Sequence, residues 1–389
     1  MKYLFLNEVI SEKITGDWGD EGDKVNVLRT TNFTNDGVID YSNVVTRDIP
    51  EKVIERKKLV QGDVIIEKSG GGPSQPVGRV VYFERKDEVF LCNNFTAILR
   101  SNDLVFPKYL FYFLFSLHKL GITLKFQNKT TGIINLQLDK YLDRIQIPLP
   151  PLPEQKRIAE ILDKADALRQ KNKQLLYAYD ELLQATFLDM FGDPVMNSKK
   201  WKKKKIGEFG DWKSGGTPLR SIKEYYEGDI PWLSSGELEN MLVADSNEHI
   251  TERAILESAA KKIEIGSLLL GMYDTAALKS SINTSVLTCN QAIAFAKLDS
   301  LKINTIFAYT LIQIGKEHFK SKQRGVRQKN LNLSMIKSLE LIYPPIAIQN
   351  QFAQIVENIE AQKSLVKRSL QESEDLFNGL VQKAFGGEL

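Results

Sequence analysis

Reading a duplex by sequence requires long polar side chains that reach base edges, with arginine suited to guanine and asparagine or glutamine to adenine. Two clusters of that kind stand at matched places in the chain. One is Gln127, Asn128, Lys129, Thr130 and Thr131, before Gly132; the other is Lys322, Gln323, Arg324, Arg327 and Gln328, around Gly325. Either is also the composition of a solvated loop, and it is the equivalent placement in both halves that favours base reading. Lys68 and Ser69, before the triple glycine Gly70-Gly71-Gly72, and Asp274 and Thr275, after Met272-Tyr273, each follow a repeated apolar strand. They extend the candidate surface, although three glycines also suit a flexible turn. Ser234 and Ser235 fit either a phosphate contact or a helix cap.

Catalytic chemistry is not supported by the residue patterns. An amino-methyltransferase needs Asn or Asp before Pro-Pro and an aromatic after it to hold a flipped base; Leu149-Pro150-Pro151-Leu152 and Tyr343-Pro344-Pro345-Ile346 have neither. The glycines from Gly70 to Gly78 lack the lysine of a phosphate loop, and Glu84-Arg85-Lys86 lacks the second carboxylate pattern of a nuclease. His118, His249 and His318 are scattered, and two cysteines supply neither a zinc finger nor a disulfide framework. Cys92 and Cys289 recur in equivalent contexts, which suits small buried hydrophobes. No catalytic, cofactor or metal residue is assigned.

These candidates need elements to hold them. From Pro150 to Gly192 the chain opens with Pro-Pro-Leu-Pro-Glu-Gln and runs without further glycine to Phe191-Gly192, a helix marked at both ends. Ile158, Leu162, Ala165, Arg169, Asn172, Leu176, Tyr179, Leu183, Thr186 and Met190 form its seam. Adding 194 gives a second copy, with Pro150-Pro151 mapping to Pro344-Pro345, Gln155 to Gln349 and Phe191-Gly192 to Phe385-Gly386. Its seam is Phe352, Val356, Ile359, Lys363, Val366, Leu370, Ser373, Phe377, Leu380 and Ala384. At a rise of about 1.5 Å, the roughly 39 residues of each spacer extend about 58 Å. Asn172 suits register control, and Arg169 and Lys363 suit snorkelling or a salt bridge.

The remaining segments read as short strands and turns around one apolar helix, at 109–115 in the first half. Cys92-Asn93 is answered by Cys289-Asn290 at an offset of 197, Gly132 by Gly325 at 193, and Asn135 by Asn330 at 195. The lysine-rich stretch 199–205 reads as a solvated linker or a phosphate-contacting arm. The predicted organisation is therefore a mixed α+β tandem duplication: head 1–149, spacer helix 150–192, head 193–343 and spacer helix 344–389. If the second helix packs on the first it runs back along it, which gives an antiparallel coiled coil with pseudo-twofold symmetry and inverted heads. Two unlike heads at a set spacing match an asymmetric, interrupted DNA target.

Composition sets no obstacle to that reading. The 389 residues are 42% apolar, and 52 basic against 49 acidic residues leave a net charge of +3, so any basic surface is local. The apolar start of the chain is too short for a signal peptide and no apolar run reaches membrane length, so a cytoplasmic protein is expected.

The segment Ile147-Pro148-Leu149-Pro150-Pro151-Leu152-Pro153-Glu154-Gln155-Lys156-Arg157-Ile158-Ala159, with its echo from Leu341 to Gln349, resembles a type I restriction-modification specificity subunit. So does Ile230-Pro231-Trp232-Leu233-Ser234-Ser235-Gly236-Glu237-Leu238. The second copy of the proline-glutamine motif departs from the pattern at Ala347 and Ile348. The resemblance implies two target recognition domains that read double-stranded DNA, and spacer helices that hold two methyltransferase subunits. Those subunits would carry S-adenosylmethionine, and a further translocase-nuclease subunit would cleave unmodified DNA. Competing readings are a coiled-coil scaffold whose heads bind protein, and the recognition chain of a related type II enzyme.

Overall fold

The computed structural model of the chain describes residues 2–130, 132–273, 276–321 and 330–386. It consists of two compact units, Met1–Lys173 with Arg368–Leu389, and Gln174–Lys367, each a mixed α and β head joined to portions of two long helices.

In the first unit, the wholly buried strand Val64–Glu67 lies between Thr96–Ser101 and Val80–Tyr82, with Ile10–Thr15 at the outer edge, all antiparallel. A second sheet sets Asp20–Leu28 parallel to Phe90–Cys92, with Leu28 opposite Cys92. In the second unit, Leu268–Gly271 is central to a five-stranded sheet, and Ile230–Leu233 lies parallel to Thr288–Cys289, with Leu233 opposite Cys289. The recurring Cys-Asn pair therefore marks the same parallel ladder twice. Beside each ladder a glycine is forced by close approach. A Cβ on Gly16 would lie 2.1 Å from the Asn93 carbonyl oxygen, and one on Gly215 would lie 2.2 Å from that of Cys289. Both thiols are free and buried; burial pushes that of Cys92 up to about 11 and that of Cys289 higher still.

Each head has one apolar helix. Pro107–Lys119 starts with a proline, whose missing N–H costs nothing in a first turn, and buries residues 109–116. Thr305–Ile314 starts at Asn304, whose side-chain oxygen accepts from the Ile306 and Phe307 amides. These helices receive the long ones, Leu152–Phe191 and Ile346–Gly386.

The recurring glutamine of the Pro-Pro motifs explains how. Gln155 Oε1 accepts from the Phe106 amide at 2.8 Å, while its Nε2 donates to the Pro150 carbonyl at 2.8 Å and the Leu104 carbonyl at 3.1 Å. Gln349 Oε1 accepts from the Asn304 amide at 2.9 Å, and its Nε2 donates to the Pro344 carbonyl at 2.8 Å. One buried side chain thus fastens the start of each long helix to the start of its head helix.

Within each unit the long-helix segments run antiparallel. In the first, Asn172 donates to the Ser369 and Ser373 hydroxyls, and the Arg169 guanidinium lies 4.4 Å from the Phe377 ring while bonding Asp166. In the second, Lys363 bonds Asp180 at 2.7 Å and Glu360 at 2.8 Å, and Phe187 and Phe191 pack on Phe352. Asn172 thus hydrogen-bonds across the helix pair, as a register-setting residue would, and Arg169 and Lys363 are ion-paired. The seam expected from 176 to 190 is only half-buried; the fully buried residues there are Phe187 and Phe191, which turn toward the second head and its Phe307. A single heptad stripe misses them because this part of the helix packs against a head as well as against another helix.

The lysine-rich stretch is not a solvated linker. Lys203–Lys205 forms an antiparallel strand with Glu340–Ile342, as Lys2–Phe5 does with Gln146–Leu149, and Lys199 donates to the Asp189 and Met190 carbonyls at the end of the first long helix. Those carbonyls have no partner inside the helix, so a cation is favourable there. Among the described residues, no helix is long and apolar enough to cross a membrane.

Candidate nucleic-acid interface

The two first-half clusters, separate in sequence, meet on one small sheet. Gln127–Thr130 is a strand, not the loop its polarity suggests; it pairs with Ile133–Leu136, which in turn pairs with Ser69–Gly71. Asn128 lies opposite Asn135, and Asn135 opposite Ser69. The sheet is sewn to the main core through Lys68, whose amide donates to the Phe95 carbonyl and whose carbonyl accepts from the Leu136 amide. The glycines are likewise not a loose turn. A Cβ on Gly71 would lie 2.7 Å from the Val77 side chain, and Gly70, at φ +92°, faces the exposed ring of Phe95.

Polar side chains on this sheet differ in how free they are. The Gln127 amide donates to the Val77 carbonyl at 3.0 Å, and the Ser69 hydroxyl donates to Asn135. Lys68 has no carboxylate partner among the described residues, in contrast to Lys13, paired with Asp139, and Lys57, paired with Asp17. Burial lowers the Lys68 ammonium from the usual lysine range, and the nearby Lys13 and Lys57 charges add to that. A cation short of a counterion is relieved by an incoming anion such as a phosphate.

Lys129 and Thr130 contribute their backbone to the strand, while their side chains lie outside what is described; Thr131 is outside the described residues altogether. So are Asp274, Thr275, Lys322, Gln323, Arg324, Arg327 and Gln328. Their flanks do meet: Tyr273 and Asn330 form an antiparallel bridge, and the Leu331 amide donates to the Met272 carbonyl, as that of Leu136 does to Lys68. Ser234 stands apart from that bridge and is held in its own turn, where Glu237 accepts from both its amide and its hydroxyl. Ser235 begins the short turn that follows.

Sequence reading missed two neighbours of this site, Lys13 and Lys57, and one turn equivalent to that of Ser234. Lys13 and Lys57 come from distant segments and carry no local signal. Arg29 to Asn32 is the first-unit counterpart of Ser234 to Glu237, since Asn32 accepts from the Arg29 amide and both turns follow the residue opposite the repeated cysteine. That counterpart was available from the Cys-Asn repeat.

Comparison with known proteins bears on the whole arrangement. The model of the type I restriction modification DNA specificity domain matches residues 19–177 and again 198–374. The chain is 36% identical over 141 residues to the Escherichia coli type I restriction enzyme EcoR124I/EcoR124II specificity subunit, a match covering 33% of this chain and only 32% of that protein. It is 24% identical over 403 residues to the StySPI specificity subunit of Salmonella potsdam, covering 95% of this chain and 83% of the other. In fold it is similar to the crystal structure of a type I restriction-modification S subunit from M. genitalium, with a TM-score of 0.61 and 15% identity over 99% of this chain and 96% of that one. All three are specificity (S) subunits of type I restriction systems. With two copies of the domain spanning most of its length, the chain belongs to the type I restriction modification DNA specificity family.

Proposed function

We propose that the chain is the non-catalytic specificity subunit of a type I restriction-modification complex, reading an asymmetric, two-part DNA target with one head per half-site. The observation that carries this is what the duplication keeps and what it changes. The buried Gln155 and Gln349 clamps, the tight Gly16 and Gly215 contacts and the Cys-Asn ladders are retained. The candidate reading positions diverge: Lys68 and Ser69 in one head stand where Met272 and Tyr273 stand in the other. Equal scaffolds with unequal polar surfaces suit two unlike half-sites.

The long helices then act as the spacer between half-sites and as the seat for two methyltransferase subunits, which bring S-adenosylmethionine and methylate adenine; a nuclease-translocase subunit completes the complex in the cytoplasm. The test is co-expression with a type I methyltransferase subunit from the same source, followed by genome-wide mapping of modified adenines. A split, asymmetric motif is expected, and an unsplit or symmetric one refutes two unlike readers. Lengthening both spacer helices by the same whole heptad, about seven residues, which returns each helix end to nearly the same rotational phase, should widen the gap and leave each half-site's bases unchanged.

A further inference from the structure

In both heads a cation from the same strand position ties down the turn that follows the Cys-Asn ladder. In the first head the Glu67 amide donates to the Arg79 carbonyl at 2.8 Å, next to the pair Ile66 and Val80. In the second the Gly271 amide donates to the Lys279 carbonyl at 2.8 Å, next to the pair Leu270 and Ser280. Arg79 and Lys279 are therefore equivalent residues. The turns they reach are equivalent too. Leu28 and Leu233 lie opposite the repeated cysteines, their carbonyls accept from the Asn93 and Asn290 amides, and the short turns Thr30–Asn32 and Ser235–Glu237 follow. Arg29 in one head thus stands where Ser234, a candidate contact residue, stands in the other.

Arg79 spans the first turn. Its Nη2 donates to the Thr30 carbonyl at 3.0 Å and its Nη1 to the Phe33 carbonyl at 2.7 Å, while Nε and Nη2 clasp the Glu67 carboxylate at 2.9 Å each. Both partners are buried, Arg79 at 7% exposure and Glu67 at 2%. Glu67 directly precedes Lys68, so one planar group joins the turn to the strand that enters the candidate sheet. The turn opens with Arg29, which donates to the Asn43 carbonyl at 2.9 Å and has no carboxylate partner among the described residues.

In the second head Gly271 stands where Glu67 stands in the first, and the counterion has moved to the turn. The Lys279 ammonium donates to the Gly236 carbonyl at 3.1 Å and to the Glu239 carboxylate at 3.3 Å. The tie has thus survived a change of side chain, of counterion and of burial.

Stability alone does not call for such a tie. Burying two charges costs about as much as their attraction returns, and an apolar pair of similar volume commonly serves as well. What the arginine fork adds is geometry, because its N–H groups lie in one plane at fixed angles, whereas lysine offers a point charge on a flexible stem. We propose that Arg79 and Lys279 are positioning residues for target recognition. Each holds the turn that carries Arg29 or Ser234 in place against the strand that leads to its own head's candidate surface, and so sets which bases that head accepts. This inference rests on the proposed reading of one half-site by each head.

The experiment co-expresses full-length wild type, Arg79→Lys and Lys279→Met with a type I methyltransferase subunit from the same source and maps modified adenines genome-wide. The quantity read is the ratio of modification at fully matched sites to that at sites with one changed base, taken separately for each half-site. Arg79→Lys should lower that ratio by about fivefold or more in one half only, the scale of one lost base contact. Lys279→Met should do so in the other half only. A purely structural role lowers modification everywhere and leaves both ratios unchanged, which overturns the assignment. Unchanged ratios at full modification overturn it as well, as does relaxation of the same half, or of both halves, by the two variants. If Arg79→Lys does not accumulate as folded protein, the half-buried Lys279 decides alone through Lys279→Met: one half relaxed supports the positioning role, and any other result overturns it. A wild-type chain that gives no split, asymmetric motif overturns the two-reader proposal itself, whereas failure confined to the variants leaves that proposal standing.

Discussion

Replacing Gln349 with methionine, close to it in length but without the amide, tests whether the repeated Pro-Pro-Gln motif is a structural fastener. Gln349 is fully buried and satisfies the Asn304 amide and the Pro344 carbonyl. Removing it leaves both backbone groups without a partner, at about 1–3 kcal/mol each. Some water can reach half-buried Asn304, so a loss of about 2–4 kcal/mol is expected. For a unit of this size that corresponds to a midpoint roughly 4–16 °C lower. Thermal unfolding followed by tryptophan fluorescence isolates the effect, because Trp201, Trp212 and Trp232 lie in the second unit and only Trp18 in the first. Gln155→Met should move the circular dichroism transition by a similar amount and the tryptophan signal less. Shifts below about 1 °C in both variants would refute the clamp, since two unpartnered buried groups cannot cost so little.

Gly16→Ala and Gly215→Ala should each cost more than about 3 kcal/mol or prevent folding, because the added methyl meets backbone that cannot retreat. Gly379→Ala, in a long helix with nothing within 4 Å of its Cβ position, should be neutral or stabilise by up to about 1 kcal/mol; urea midpoints decide all three. Burial raises the Asp36 carboxyl, but the Lys173 hydrogen bond and charge, with Arg169, hold it on balance below the usual carboxylate range. Its contribution is therefore present above the unfolded value of about 3.9 and lost as pH falls through the lower folded value, so a stability gap between wild type and Asp36→Asn of order 1 kcal/mol or less should narrow progressively as the solution is acidified below that unfolded value. Lys68→Ala should reduce the salt dependence of DNA binding by about one unit of slope with the motif unchanged, whereas Asn128→Ala should relax one half-site; altered bases with Lys68→Ala would place that residue at a base edge instead.

The tandem mixed α and β architecture was legible because its signals are redundant. Proline and glycine mark both ends of the first long helix, and a constant offset of 194 transfers that reading to the second. The buried head helix was legible as an unbroken apolar run at 109–115. The site was less so. Gln127 to Thr130 and Lys203 to Lys205 are strands whose side chains are nearly all polar, so composition points to loop or linker while the backbone ladder decides otherwise. Lys13 and Lys57 come beside Lys68 only through tertiary folding.

The pattern of offsets has a mechanical reason. Between the clamped head-helix start and the Pro-Pro pair, the first unit spends 44 positions, from Phe106 to Pro150, and the second 40, from Asn304 to Pro344, so the heads have exchanged residues freely there. Between clamp and helix end they have exchanged none: Gln155 to Phe191 and Gln349 to Phe385 are the same distance in sequence. Each of those end residues is committed, Phe191 to Phe307 with ring centroids 4.8 Å apart and Phe385 to Tyr109 and Phe113 at 5.2 Å each. An inserted residue would rotate the helix end by about 100° and withdraw its phenylalanine from that core, whereas an insertion in a surface turn of a head disturbs only the turn. Constant helix length therefore follows from anchoring at both ends, and the proposed constant spacing between half-sites follows from constant helix length.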